Sequence, residues 1–284
     1  MMPASATKGQ PQVGDHLVIT YPMDKVMQLR LNKPKALNAM DDNLEDDLKN
    51  VLDWFEEEPS LWVCVVTGTG RAFCAGQDLK GWNSTQGSDK APHAKIRSNP
   101  YGFGSIARRL SKKILIAAVN GIALGGGAEL LVNCDIVIGV KGGIVGFPEV
   151  RRGVMASVGG IPNTYQRSPQ LAPYLLTGLN IPPHLCEQHI FTQTVASADQ
   201  IIPAALEWAS KVVECSPDAV QVTKEQINLT KNGVGILDVV KRSLDSELAQ
   251  ATYVGENMKE GLRSFAEKRA PRWNDPPRVG KTKL

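Results

Sequence analysis

The 284-residue sequence contains no apolar run of 18 residues, so no membrane-spanning helix is expected. It lacks an excess of charge of either sign. Thirty-two basic and 29 acidic residues leave a net charge of +3, which calls for neither nucleic acid nor an anionic membrane surface as partner. Cysteine is scarce: Cys64, Cys74, Cys134, Cys186 and Cys215 are scattered and odd in number. That spacing gives no zinc ligand set and no disulfide framework; it fits a reducing compartment, with the thiols as small buried hydrophobes. No exact repeat and no low-complexity tract occurs. The opening "MMPASATKGQPQVGD" has neither the apolar core of a signal peptide nor the arginines of a mitochondrial presequence. Residues 1–14 are read as a disordered tail.

What is present fits an ordinary globular chain, 42% hydrophobic and 21% charged. Its length allows one large domain, or a core with an appendage. The chain ends in Thr-Lys-Leu, one residue from the peroxisomal Ser-Lys-Leu address. The alternative is a frayed basic tail and a cytoplasmic protein.

Periodicity divides the chain. His16–Tyr21 and Val26–Leu31 read as strands joined by a turn. Leu44, Leu48, Val51, Leu52 and Phe55 have helical spacing within Asn43–Glu57. "LWVCVVT" (61–67) is continuously apolar over strand length, which predicts burial on both faces. Residues 81–100 read as a mobile loop or a loose helical segment, and Ile106–Leu110 as a helical piece. Further strands are expected at Ile114–Val119, Ile136–Val140 and within "GGIVGFPEV", with a helix over Ala128–Asn133. Short strands alternating with helices indicate an α/β core over 15–203. Beyond it, Ala204–Glu214, Pro217–Thr230, Ile236–Tyr253 and Asn257–Lys268 carry helical periodicity. Residues 204–284 are therefore read as a helical C-terminal segment, to which the family resemblance set out below adds a role in oligomerisation.

The stretch "GIALGGGAELLVNCD" (121–135) is the most informative. It is no phosphate loop, because no Lys-Ser or Lys-Thr follows the glycines. It is no dinucleotide fingerprint either, since the third glycine is missing here and in "GTGRAF". Two readings remain. The glycines permit tight helix packing, or they let a helix N-terminus near Gly126 present unpaired N–H groups to an oxyanion. Glu129 lies within one turn of that place.

Several stretches together resemble the enoyl-CoA hydratase/isomerase family, the crotonases. They are "LNKPKALNAM" (31–40), "VVTGTGRAFCAGQDL" (65–79), "AAVNGIALGGGAELLVNCDIVI" (117–138) and "GFPEVRRGV" (146–154). The resemblance runs from about His16 to Trp273. It implies a crotonase-like α/β spiral of ββα units, and an acyl-CoA thioester whose enolate is held by the backbone N–H groups of Gln77 and Gly126. It implies Glu129 as the group that deprotonates water, and Glu149 as the donor of a proton to the α-carbon. For coenzyme A it implies Lys35, Ala36, Leu37, Ala75, Asp78 and Leu79. Lys268, with Arg269, is implied to bind coenzyme A across a subunit interface, on the final helix that caps a neighbouring subunit's site. No metal or separate cofactor is implied, coenzyme A being part of the substrate; a homotrimer or a dimer of trimers is. Two carboxylates held in different protonation states can supply the base and the acid that hydration needs.

The sequence departs from the family pattern at several points. Gln77 stands where many relatives carry a small or apolar residue. Arg151 and Arg152 follow Glu149; they face either solvent or the pocket. "MASVGGIPN" and "NIPPHLCEQHIF" differ from the common pattern, and His184 and His189 read as loop or helix-surface residues. Trp82 and the loop to Pro100 read as part of a lid. Two alternatives to hydration remain. One is Δ3–Δ2 isomerisation, or another crotonase-type dehydratase or hydrolase reaction. The other is a non-catalytic CoA- or RNA-binding module using "ARRLSKK" (107–113), although a solvated helix face explains those charges and no stacking aromatics interleave with them.

Overall fold

The structure is a computed structural model that describes residues 9–78 and 99–276. Leu79, Trp82, most of the lid region, residues 1–8 of the expected tail and the C-terminal tripeptide lie outside the described residues.

In chain order the strands are β1 (Leu17–Met23), β2 (Val26–Leu31), β3 (Val63–Gly68), β4 (Ala72–Cys74), β5 (Ile114–Val119), β6 (Ile122–Leu124), β7 (Ile136–Val140), β8 (Val145–Gly146), β9 (Asn180–Ile181) and β10 (Gln193–Val195). The helices are α1 (Asp42–Glu57), α2 (Gly126–Val132), α3 (Gly160–Arg167), α4 (Ala172–Thr177), α5 (Pro183–His189), α6 (Ile201–Val213), α7 (Pro217–Lys231), α8 (Ile236–Asp245), α9 (Glu247–Val254) and α10 (Glu256–Ala266).

From β3 to β8 successive strands alternate between two sheets. One sheet has the order β1-β2-β3-β5-β7-β10 and the other β4-β6-β8-β9. Within the smaller sheet β4, β6 and β8 run parallel, so their carboxyl ends lie side by side. Each return to the smaller sheet advances the chain by one strand, which produces the spiral.

The larger sheet is buried on both faces, as "LWVCVVT" predicts. Cys64 and Val66 of β3 enter the core with Leu44, Leu48, Val51, Leu52 and Phe55 of α1. Val63 and Val65 point the other way, onto Ile201, Ala204, Ala205 and Ala209 of α6. The two-residue period of a strand feeds both layers from one apolar run. Asp41 starts α1 by accepting from the N–H of Leu44 at 3.0 Å.

Two expected elements differ. Ile106–Leu110 is not helical but a turn after a short 3-10 stretch, Phe103–Ser105. The left-handed residues Gly102, Gly104 and Ser105 stop a helix from forming there. The periodicity of Ile236–Tyr253 is split into α8 and α9 at Ser246, whose extended backbone ends one helix while its Oγ accepts from Ala249 N at 3.1 Å to start the next. The basic stretch 107–113 is not a solvated helix face. Arg109 is buried against Asp53 at 2.9 Å and lies over the Tyr101 ring, while Lys113 is buried and donates to the carbonyls of Phe55 and Glu58. Four of the five cysteines are buried, and Cys215 is exposed.

Candidate active site

The carboxyl ends of β4, β6 and β8 carry the candidate residues. Beyond β4 the chain runs Ala75, Gly76, Gln77. Beyond β6 it enters the glycines and α2, and beyond β8 it reaches Glu149. Gly125 N donates to Gly146 O at 2.9 Å, tying the ends of β6 and β8. Ligands of parallel sheets gather at such carboxyl ends.

Close approach explains the glycines. A Cβ on Gly127 would lie 2.1 Å from the carbonyl oxygen of Cys74. One on Gly76, whose φ is +91°, would lie 2.7 Å from the oxygen of Leu124 and 3.3 Å from the nitrogen of Gly126. The backbones that carry Gln77 and Gly126 are therefore in contact. Met40 donates to Gly76 O and accepts from Asp78 N, both at 2.9 Å, so the N–H of Gln77 points away from that ladder. Gly126 is the first residue of α2, where a helix has no acceptor for its N–H. Among the described residues no acceptor outside the regular ladders takes either N–H. The side chain of Gln77 is turned back, donating to Met40 O at 3.1 Å.

Glu129 is 4% exposed. Its Oε1 accepts from Val158 N and Gly160 N, each at 3.0 Å. Gly160 leaves room for it: a Cβ there would lie 2.3 Å from Glu129 Cγ and 2.8 Å from the Phe147 ring. Burial pushes the Glu129 carboxyl up to about 7 against the pull of the two N–H groups; the nearby charge of Glu149 adds to the rise and Arg108 opposes it. Asn133 Nδ2 donates to Glu129 O at 2.6 Å, and the Asn163 amide in turn donates to Asn133 Oδ1.

Glu149 lies over Gly125, where a Cβ would come within 2.9 Å of Glu149 Oε1. Its Oε2 is buried and has no hydrogen-bond partner among the described residues. Burial raises its carboxyl too, with Arg152 opposing. Both following arginines face outward. Arg151 donates to Thr177 O at 2.8 Å and Arg152 to Pro148 O at 3.3 Å. Buried Glu129 and half-buried Glu149, both with their charged forms disfavoured, thus lie beside the N–H groups of Gln77 and Gly126, an arrangement of the kind that acid–base chemistry at a developing oxyanion uses.

The structure also gathers most residues assigned to coenzyme A. Ala75 N donates to Leu37 O at 3.0 Å, so "KPKAL" lies along "CAGQD". Asn38 holds the loop from inside, accepting from Lys33 N at 2.9 Å and donating to Ala72 O at 2.8 Å. Lys35 and Ala36 are exposed on this ridge, with Leu37 and Asp78 half-buried beside them. Lys268 is exposed after α10, and no hydrogen bond or ion pair among the described residues joins it to the ridge. Sequence reasoning missed Val158 and Gly160, which act through backbone N–H groups. The one available signal was the glycine pair that opens α3.

The sequence profile of the enoyl-CoA hydratase/isomerase family matches residues 23–276. The mevalonyl-coenzyme A hydratase of Beauveria bassiana is 36% identical over 280 residues, covering 95% of this chain and 98% of that protein. The mevalonyl-coenzyme A hydratase of Aspergillus fumigatus is 34% identical over 273 residues, covering 94% and 98%. Among solved structures, an enoyl-CoA hydratase from Mycobacterium tuberculosis superposes with a TM-score of 0.82 at 29% identity, covering 93% of this chain and all of that one.

Proposed function

The chain belongs to the enoyl-CoA hydratase/isomerase family, and on that premise we propose that it adds water across the double bond of a 2-enoyl-CoA through Glu129 and Glu149. The observation that carries the assignment of roles is the convergence of buried Glu129 and half-buried Glu149, both with raised pKa, just beyond the ends of β6 and β8. The thioester oxygen accepts from Gln77 N–H and Gly126 N–H. Ionised Glu129 takes a proton from water, and the water oxygen bonds to the β-carbon. The π electrons move onto the thioester oxygen as an enolate. Glu149, protonated at the start, gives its proton to the α-carbon as the enolate collapses. Proton exchange with solvent then restores both carboxyls. The N–H pair polarises the thioester, so the reaction requires no metal or cofactor beyond the substrate's own coenzyme A.

The acyl group is proposed to be branched and polar. Two relatives matched over almost their whole length are named for mevalonyl-coenzyme A; its acyl group carries a methyl and a hydroxyl at carbon 3 and a second hydroxyl at carbon 5. The test follows loss of the conjugated enoyl thioester absorbance across a panel. The panel contains 5-hydroxy-3-methylpent-2-enoyl-CoA and straight-chain 2-enoyl-CoA thioesters of several lengths. The branched hydroxylated thioester is expected to have the highest kcat/KM, with a product heavier by one water. Double-bond migration without gain of mass would make the protein an isomerase, and a panel without turnover would sink the proposal.

Lys35, Ala36, Leu37, Ala75 and Asp78 are proposed to bind coenzyme A, with Leu79 beyond the described residues. The lysine meets phosphate as a point charge. A homotrimer or dimer of trimers is proposed from the C-terminal helices. Ile236 and Leu237 of α8 and Phe265 of α10 are 79%, 85% and 87% exposed, large apolar side chains that neighbouring subunits would cover. In such an assembly Lys268 would reach a neighbour's site; sedimentation as a monomer would remove that role. The reading includes no nucleic acid and no membrane partner. It keeps the C-terminal Thr-Lys-Leu as a peroxisomal address, tested by whether a fluorescent fusion needs those residues to leave the cytoplasm.

A further inference from the structure

The loop 99–109 takes no part in the chemistry above, yet its backbone is fixed more firmly than packing requires. Three of the four residues 102–105 are left-handed: Gly102 at φ +68°, Gly104 at +59° and Ser105 at +52°. Ser105 is fully buried, and a left-handed serine persists only where its surroundings hold it. One carboxylate supplies most of that hold. Glu45, on α1, accepts at Oε1 from Asn99 Nδ2 at 2.8 Å and from Ser105 N at 3.2 Å. Its Oε2 accepts from Gly104 N at 3.2 Å. Arg109 Nε donates to Ser105 O at 2.7 Å from the other side.

Phe103 lies in the middle of this clamp. A Cβ built on Gly126 would lie 2.4 Å from Cδ2 and Cε2 of the Phe103 ring. The ring thus covers the Cα of the residue whose N–H is the proposed donor, and it is only half-buried. A Cβ on Gly104 would meet Leu130 at 2.7 Å and Met40 at 3.5 Å. Met40 is also the bridge partner of Gln77, so the loop leans on the supports of both donors.

We infer that Phe103 is a specificity-determining residue, the wall beside Gly126 that limits substituents on the α-carbon of the thioester, and that Glu45 is the positioning residue that holds the ring there. The inference rests on the proposed seat of the thioester oxygen at Gly126. An oxygen roughly 3 Å from that N–H brings the α-carbon within van der Waals reach of a ring lying on the same Cα. Glu45 touches no substrate; it acts through the loop.

The experiment compares 2-methyl-2-butenoyl-CoA with unbranched 2-butenoyl-CoA in wild type, F103A, F103L, E45A, E45Q and E45A/F103A. A parallel calorimetric series measures Kd for the unreactive 2-methylbutyryl-CoA and butyryl-CoA. F103A is expected to shift the branched-to-unbranched kcat/KM ratio by about tenfold or more toward the branched thioester, the scale of one methyl group in a pocket. The Kd ratio should move the same way. F103L should shift both ratios less. E45A should shift them in the same direction, and the double variant should go no further than F103A. E45Q should shift them less than E45A, because its amide oxygen can still accept from Asn99 Nδ2 and Ser105 N while the bond from Gly104 N is lost. Ratios within twofold of wild type in F103A and F103L, or effects of E45A and F103A that multiply, would overturn the inference. Absence of turnover by the wild type on both thioesters and on the wider panel would count against the hydratase reading. The Kd ratios would still decide the role of Phe103.

Discussion

Glu129→Gln is expected to lower kcat for hydration by about 10²–10⁴, the range for loss of a positioned base, while the fold is retained. The retained fold follows from geometry. The two bonds to Glu129 Oε1, from Val158 N and Gly160 N, need only an acceptor, and the glutamine oxygen is one. What disappears is the carboxylate proposed to take the proton from water. In the wild type that carboxyl sits at about 7 because of burial, so hydration should lose about tenfold in kcat/KM per unit as pH falls below that value.

The same shift makes a stability prediction of definite sign. Glu129 moves from an ordinary 4.5 in the unfolded chain to about 7 in the fold. Between those values the folded state binds more protons than the unfolded one, so wild-type stability falls as pH rises through the window. Above pH 7 the penalty is fully present, up to about 3 kcal/mol for this shift. Glu129→Gln never carries it. The variant should melt above wild type at pH 8, and its advantage should shrink toward pH 4.5. A gap in Tm that stays constant across that range would mean that Glu129 is not the ionising group.

How much of this was legible beforehand depends on what kind of atom does the work. β3 was readable because burial on both faces demands an unbroken apolar run. α1 was readable because the core needs Leu44, Leu48, Val51, Leu52 and Phe55 on one face. Glu129 and Glu149 stood out only through the family resemblance; by themselves a glutamate in the first turn of a helix and one after a turn proline are ordinary. The N–H groups of Val158 and Gly160 have no side-chain signature, so the partners of Glu129 became visible only once α3 was seen to pack on α2. Ile106 and Ala107 have helix-like apolar spacing, but a left-handed loop rather than a helix buries them. The charges of Arg109 and Lys113 suggested a wet surface, whereas Asp53 and the carbonyls at the end of α1 draw both inward. In these cases tertiary partners decided a matter that local pattern could not.

Gly127→Ala is expected to have the second large effect, and it tests why three glycines are needed. Each meets something different. A Cβ on Gly125 would meet the carboxylate end of Glu149, and one on Gly126 the Phe103 ring; both contacts are with side chains. A Cβ on Gly127 would meet the backbone of Cys74, its oxygen at 2.1 Å and its carbonyl carbon at 2.8 Å, and neither can swing away. Relief requires the start of α2 to separate from the end of β4. Overpacking of this kind costs about 1–3 kcal/mol. It also parts the two strands of backbone that hold Gln77 and Gly126, and a misplacement near 1 Å costs about 10²-fold in rate. The variant should therefore lose about 10²-fold in kcat even where circular dichroism shows it folded, with its Tm lowered as well. Wild-type kcat in a folded Gly127→Ala protein would mean that the approach of α2 to β4 does not set the donor pair. The triplet would then be a packing device, and the oxyanion would need another donor than Gly126.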